Sequence, residues 1–141
     1  MAEEFKNFDF FVDWCNSQIG FSLDDYQLDK DLLVNGNQCY GPDTCLFLPR
    51  KINQVLNKRS SCRGDLPIGV TRVCSKSKPY LAQCNNEHSR YAESFATIED
   101  AFNAYKQEKE RYIKYLAILY KGKIDERAVI ALLKYEVKRT D

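Results

Sequence analysis

Histidine is almost absent from this sequence: one in 141 residues, and none before His88. Its six cysteines, Cys15, Cys39, Cys45, Cys62, Cys74 and Cys84, include no Cys-x-x-Cys pair. Zinc sites draw on closely spaced Cys and His ligands, so a structural zinc centre is not expected. No run of 18 apolar residues occurs, so no membrane-spanning helix is expected. The opening Met1-Ala2-Glu3-Glu4 is acidic, whereas a secretory leader begins with positive charge. The expectation is a cytoplasmic chain whose thiols stay reduced, several of them packing as small buried hydrophobes. Net charge is small as well, +1 overall, short of the positive charge typical of nucleic-acid binders. No internal repeat or low-complexity segment is present.

Aromatic residues are plentiful. They make up 13% of the chain, with nine Tyr and eight Phe, which argues against disorder. The length suits one domain, or two small ones sharing a core. The small net charge hides an uneven distribution. Residues 1–57 hold 4 basic and 9 acidic side chains, residues 58–91 hold 7 and 2, and residues 92–141 hold 10 and 9. The middle third is therefore the segment suited to face phosphate.

Residues 3–16 are expected to form a helix, with Phe5, Phe8, Val12 and Cys15 on one face and Glu3 and Glu4 at its positive end. Ile19-Gly20 ends it. Residues 27–48 read as a hairpin, with Leu28–Val34 as one arm and Cys45–Leu48 as the other. Asn35-Gly36-Asn37 and Gly41-Pro42-Asp43 supply turn material between them. Pro49 suits the start of a short helix whose apolar side is Ile52, Val55 and Leu56. Residues 59–66 read as a linker in which Arg63-Gly64-Asp65 makes a basic turn. Three strands follow over residues 68–95, with turns at 75–79 and 85–88. Thr97 then caps a helix running to about Tyr120, with Phe102, Tyr105, Tyr112, Leu116 and Leu119 on its apolar face. Gly122 breaks that helix, and Asp125 caps a last one with the stripe Val129, Leu132, Leu133 and Val137.

The resulting expectation is an α+β fold. Its segments are an N-terminal helix with a strand–strand–helix unit (1–58), a linker (59–66), a three-stranded antiparallel sheet packed on a long helix (67–121), and a C-terminal helix (122–141).

Two stretches carry a family resemblance. One is Leu28-Asp29-Lys30-Asp31-Leu32-Leu33, then Tyr40-Gly41-Pro42-Asp43-Thr44-Cys45-Leu46-Phe47-Leu48-Pro49 and Ile52-Asn53. The other begins Pro67-Ile68-Gly69-Val70, passes through Tyr80-Leu81-Ala82-Gln83-Cys84 and ends Phe95-Ala96-Thr97-Ile98-Glu99-Asp100-Ala101-Phe102-Asn103-Ala104-Tyr105. Together they resemble phage-encoded HNH endonucleases that carry an AP2-type DNA-binding domain. The first stretch looks like the HNH strand–loop–strand–helix core and the second like the AP2 domain. The second match is the more specific.

What the resemblance implies about chemistry is mixed. Such a nuclease needs a general base beside the scissile phosphate and a divalent metal to neutralise developing charge. Asp29 stands where the family has its general-base His, Thr44 where it has a middle Asn, and Asn53 at the third position. Asp29, Asp31 and Asn53 would then be the ligands of Mg²⁺, with Asp29 and Asp31 on one strand face. A carboxylate with an ordinary pKa of about 4 is a weak base at neutral pH. The alternative for these residues is two solvent-facing acids on a strand. Related nucleases also carry a further segment before the Phe5, Phe8 and Trp14 pattern.

The AP2-like half is expected to bind double-stranded DNA. Alternation from core positions Val70 and Ala82 turns Thr71, Val73 and Ser75 outward in the first strand. It turns Leu81, Gln83 and Asn85 outward in the second, and Ser89, Tyr91 and Glu93 in the third. This face lacks the Arg and Trp readers usual in the family. Gln83 and Asn85 can read adenine, Tyr91 can pack on sugar or base, and Arg63, Arg72, Lys76, Lys78 and Arg90 can reach phosphates from the rim. A one-residue change of register would bring Arg72 and Arg90 to the face. The leading expectation is a DNA-binding protein with weak or no nuclease activity. The alternatives are a Mg²⁺-dependent nicking endonuclease and an interaction protein that inhibits a host defence protein.

Overall fold

Asn7 interrupts the helix expected over residues 3–16. Its backbone is extended (φ −86°, ψ 115°), and its side-chain oxygen accepts from the Phe10 N–H at 3.1 Å. It therefore caps a new helix instead of continuing an old one. The computed structural model, which describes residues 1–58 and 64–141, begins with a 3-10 turn at Glu3–Lys6 and then α1, Phe8–Ser17. The break redirects the apolar stripe: Phe5 and Cys15 are buried, while Phe8 is 75% exposed. Gly20, at φ +97°, follows the helix as the sequence implied, and a Cβ there would stand 2.0 Å from the Tyr26 ring.

Strand β1, Tyr26–Asp29, pairs antiparallel with β2, Leu46–Pro49, and α2, Arg50–Leu56, follows at once. This is the strand–loop–strand–helix order read from the sequence, but the first arm is shorter and earlier than Leu28–Val34. The reason is Asp29. Its Oδ2 accepts from the backbone N–H groups of Asp31 (3.1 Å) and Leu32 (2.8 Å). A local side-chain bond of this kind competes with the strand ladder and bends the chain. Asp31 lies beyond β1, so the alternation that would put it on one strand face with Asp29 does not apply.

Strand β2 is wholly buried, with Leu46 and Leu48 fully inaccessible. Burying each such side chain contributes roughly 1.5–3 kcal/mol. Arg127 braces the loop before it, reaching the carbonyls of Pro42 and Cys45 at 3.5 Å while paired with Asp125 at 3.1 Å. The Tyr26 hydroxyl donates to the Lys123 carbonyl at 2.7 Å.

Strands β3 (Val70–Arg72), β4 (Tyr80–Asn85) and β5 (Arg90–Phe95) form a second antiparallel sheet in that order. Helix α3, Ile98–Leu119, starts where Thr97 Oγ1 accepts from the Asp100 N–H at 3.2 Å, the cap legible in the sequence. Helix α4, Glu126–Leu133, starts at Asp125, whose carboxylate accepts from the Arg127 N–H at 2.8 Å. It ends at Leu133, so Val137 is not part of its stripe. Val137 instead joins the core of Val70, Ala82, Cys84, Ala101, Phe102 and Tyr105.

The architecture is α+β, with four α-helices and two small antiparallel sheets among the described residues. Two compact units divide it, and both are discontinuous in sequence. One comprises residues 1–57 and 115–134, the other residues 58–114 and 135–141. The consecutive segments 1–58, 67–121 and 122–141 differ from this division. Helix α4 groups with the N-terminal residues, residues 135–141 group with the three-stranded sheet, and α3 contributes to both units.

Candidate nucleic-acid interface

The three-stranded sheet has one covered and one open face, and its register decides which residues lie on each. Val70 pairs with Ala82 and Ala82 with Glu93; Arg72 pairs with Tyr80 and Tyr80 with Phe95; Cys84 pairs with Tyr91. Directly opposite residues share a face. Val70, Ala82 and Cys84 pack on Ala101, Phe102 and Tyr105 of α3, so this is the inner face. Gly69 leads into it at φ +78°, and a Cβ there would meet the Tyr105 ring at 2.1 Å.

The open face consists of three rows: Thr71, Leu81 and Ser94; Gln83 and Ala92; Asn85 and Arg90. Thr71, Gln83 and Asn85 are where the sequence placed them. Strand β5 is not, because its parity is reversed. Tyr91 belongs to the inner face, half-buried against the core. Burial and its hydrogen bond to Glu93 Oε2, at 2.8 Å, push its phenol up to about 12, so it stays a proton donor to that carboxylate. Arg90 takes the outward place instead. Turn length causes the reversal. Seven residues separate the paired Arg72 and Tyr80, which keeps parity; four separate Asn85 and Arg90, which inverts it.

Asn86 closes that shorter turn. Its Oδ1 accepts from the N–H groups of His88 (3.0 Å) and Ser89 (2.7 Å), and its own N–H donates to the Ser89 carbonyl at 2.9 Å. His88 lies exposed in this turn.

Cations flank the open face. Lys76 and Lys78, on the β3–β4 connection, are exposed, as is Arg90; none of the three makes an ion pair among the described residues. Arg72 has inner parity at the sheet's end, where its guanidinium lies over the Tyr80 ring, 5.6 Å from the centroid. Arg63 falls outside the described residues. The unit that carries this sheet holds 13 Lys and Arg against 9 Asp and Glu, whereas the other holds 8 against 11. The basic bias of residues 58–91 thus resides in one compact unit.

The residues read as catalytic occupy the other unit. Asp29 is half-buried, and burial pushes its carboxyl above the ordinary value of 3.8, against the pull of the Leu32 and Asp31 N–H groups. The Asp31 carboxylate turns to Lys30 Nζ at 2.8 Å. The Thr44 hydroxyl stays within its own loop, near the carbonyls of Cys39 (3.0 Å) and Gly41 (3.3 Å). Asn53 Nδ2 reaches Gln27 Oε1 at 3.5 Å, and its Oδ1 is buried without a hydrogen bond among the described residues. Gln27 and Asp29 alternate on β1, so Asn53 and Asp29 lie on one side of the two-stranded sheet.

Mg²⁺ calls for near-octahedral oxygen ligands, and this donor set does not fit it. One oxygen of Asp29 is committed to the backbone, burial disfavours its charge, and Asp31 is engaged elsewhere. Among the described residues no group of three or more His, Cys, Asp and Glu could hold a metal ion. Gln27, the partner of Asn53, was not singled out from sequence, whereas Arg90, expected at the rim, takes a place on the open face. The first depends on a contact between β1 and α2, the second on the register of β5.

The Asp29 geometry makes a testable statement about pH. An acid whose folded pKa is raised binds its proton more tightly in the folded state, so its stability contribution falls as pH climbs from the ordinary Asp value through the folded one. Asn at this position keeps an oxygen for the Asp31 and Leu32 N–H groups and cannot ionise. Asp29→Asn is expected to melt at or above the wild-type temperature at about pH 7, with the gap narrowing toward about pH 4. Thermal melts across that range check it. Mg²⁺-dependent plasmid nicking by the wild type, abolished in Asp29→Asn, would instead make this residue catalytic.

Comparison of the chain with protein-family models, with curated proteins and with solved structures found no match.

Proposed function

We propose that this protein binds double-stranded DNA through the open face of its three-stranded sheet. In this reading the sheet and α3 form an AP2-like domain, and β1, β2 and α2 form an HNH-like unit with weak or no nuclease activity. The observation that carries the reading is the pairing of Asn85 with Arg90 on that face, next to Gln83, with the exposed Lys76 and Lys78 on the β3–β4 connection. An arginine can bond guanine O6 and N7 through both its nitrogens, and Asn or Gln can do the same with adenine N6 and N7. Leu81 and Ala92 offer apolar contact for a thymine methyl. A β-ribbon fits the major groove, which is about 12 Å wide. Lys76 and Lys78 would hold phosphates and set orientation without reading sequence.

Fluorescence anisotropy with a labelled duplex tests the proposal. Affinity is expected to fall steeply between about 50 mM and about 200 mM salt, as released counterions dictate. The double variant Lys76→Ala/Lys78→Ala should flatten the log–log salt slope by about 1.8, roughly 0.9 per lost phosphate contact. Undetectable binding at about 50 mM salt would overturn the proposal, since phosphate contacts are strong there.

A further inference from the structure

The unit built from residues 1–57 and 115–134 carries an aromatic surface that the proposed DNA-binding face does not include. Six aromatic rings there form a connected chain. Phe10 lies 6.5 Å from Phe5, Phe5 lies 5.0 Å from Phe11 and 4.8 Å from Trp14, Trp14 lies 6.1 Å from Phe47, and Phe47 lies 5.4 Å from Phe21. These are direct ring contacts. The middle of the chain is anchored, since Phe5 and Phe47 are buried. Both ends open to solvent: Phe10 is 41% exposed and Phe21 44%. Single exposed apolar side chains need no explanation, but here two exposed rings are joined to the core through the half-buried Trp14 and the buried Phe5 and Phe47.

Its rim is acidic. Residues 1–25 contain six carboxylates and one cation, Lys6, which is already bonded to Glu3 at 2.5 Å. On α1 the arrangement is ordered by helix geometry. Phe10 and Trp14 are four residues apart and form one row; Asp9 and Asp13 are four apart and form a second. Asp13 lies three residues from Phe10, so the rows run side by side. No Lys or Arg in α1 answers the two carboxylates. Like charges at this spacing destabilise a helix by a few tenths of a kcal/mol. Here they border an aromatic row.

We propose that this surface docks a cationic amphipathic helix of a partner protein. The partner's bulky apolar side chains would cover Phe10, Trp14 and Phe21, and its Lys or Arg side chains would face Asp9 and Asp13. This is the helix-in-groove mode of recognition, with charge setting register. Three other occupants fit less well. Anionic lipid and nucleic acid are repelled by the acidic rim. A second copy meeting face to face would set the same carboxylates against each other.

Trp14 is the only tryptophan, so the surface has its own fluorescent reporter. The full chain is titrated with three synthetic peptides: Leu/Lys with helical periodicity, a scramble of the same composition, and Leu/Glu with the same periodicity. A saturable change in Trp14 emission is expected with Leu/Lys at about 150 mM salt, where exposed charges alone are well screened. Binding of the scramble should be at least about ten-fold weaker, and that of Leu/Glu absent. Phe10→Ser should weaken Leu/Lys binding about ten-fold, and so should the surface double variant Asp9→Asn/Asp13→Asn, which leaves packing untouched. Equal binding of the scramble, wild-type affinity in both variants, or no binding would overturn the proposal. So would concentration-dependent self-association in sedimentation that Phe10→Ser abolishes, because the occupant would then be a second copy.

Discussion

Gly69→Ala is expected to cost about 3 kcal/mol or more, combining backbone strain and overpacking. The backbone at Gly69 has φ +78°, where an L-residue costs roughly 1–2 kcal/mol. The new Cβ would stand 2.1 Å, 2.2 Å and 2.4 Å from three carbons of the Tyr105 ring. That ring is 5% exposed and packs in the core with Ala101 and Phe102, so it has no empty space to enter. Overpacking of this kind adds about 1–3 kcal/mol. Typical domains have only 5–15 kcal/mol in total. The position also anchors the sheet, since the Gly69 carbonyl accepts from the Gln83 N–H at 2.9 Å. Gly122→Ala is the control. Its φ is +84°, but a Cβ there meets nothing within 4 Å, so only the backbone strain remains. Thermal denaturation followed by circular dichroism should lower the Gly69→Ala midpoint by more than about 10 °C, and that of Gly122→Ala by much less. Equal midpoints would mean that Tyr105 does not pack against Gly69 as described.

What could be read from the sequence was local chemistry. Thr97 and Asp125 announced helix starts because a hydroxyl or carboxylate two or three residues ahead of free N–H groups has one obvious use. The apolar spacing of Phe102, Tyr105, Tyr112 and Leu116 gave α3 almost to its last residue, Leu119. What could not be read depended on choices between local bonds or on distant partners. Asn7 and Asp29 each took a side-chain-to-backbone bond that ended a regular element the apolar pattern alone would have continued. Val137 continues the spacing of α4, yet belongs to the unit of the three-stranded sheet and packs in that unit's core, a placement no periodicity encodes. The candidate sites divide the same way. Thr71, Gln83 and Asn85 were placed correctly because β3 and β4 could be anchored on Val70 and Ala82. Tyr91 and Arg90 were exchanged because parity in β5 hangs on the length of one turn, and Asn86 fixes that length through bonds to His88 and Ser89.

That exchange yields the second large prediction, in which two neighbours fail in opposite ways. Tyr91→Ala is expected to destabilise the protein by about 2 kcal/mol, less than a fully buried aromatic because the ring is half-exposed. It removes the packing opposite Cys84 and leaves Glu93 without its 2.8 Å partner. At temperatures where the variant is folded, its DNA affinity should be close to wild type, since the side chain lies under the sheet. Arg90→Glu should do the reverse. An exposed surface change of this kind alters stability by less than about 0.5 kcal/mol. On the open face it sets a carboxylate against a phosphate and removes a base or phosphate contact, at about 2 kcal/mol or roughly 30-fold in affinity. Urea denaturation and anisotropy on the same two proteins separate the outcomes. If Tyr91→Ala loses DNA without losing stability while Arg90→Glu binds normally, the parity of β5 is the opposite one. If both bind normally, DNA does not use this face. If the two variants diverge as expected, the four-residue turn closed by Asn86 is what gives the sheet its one outward arginine.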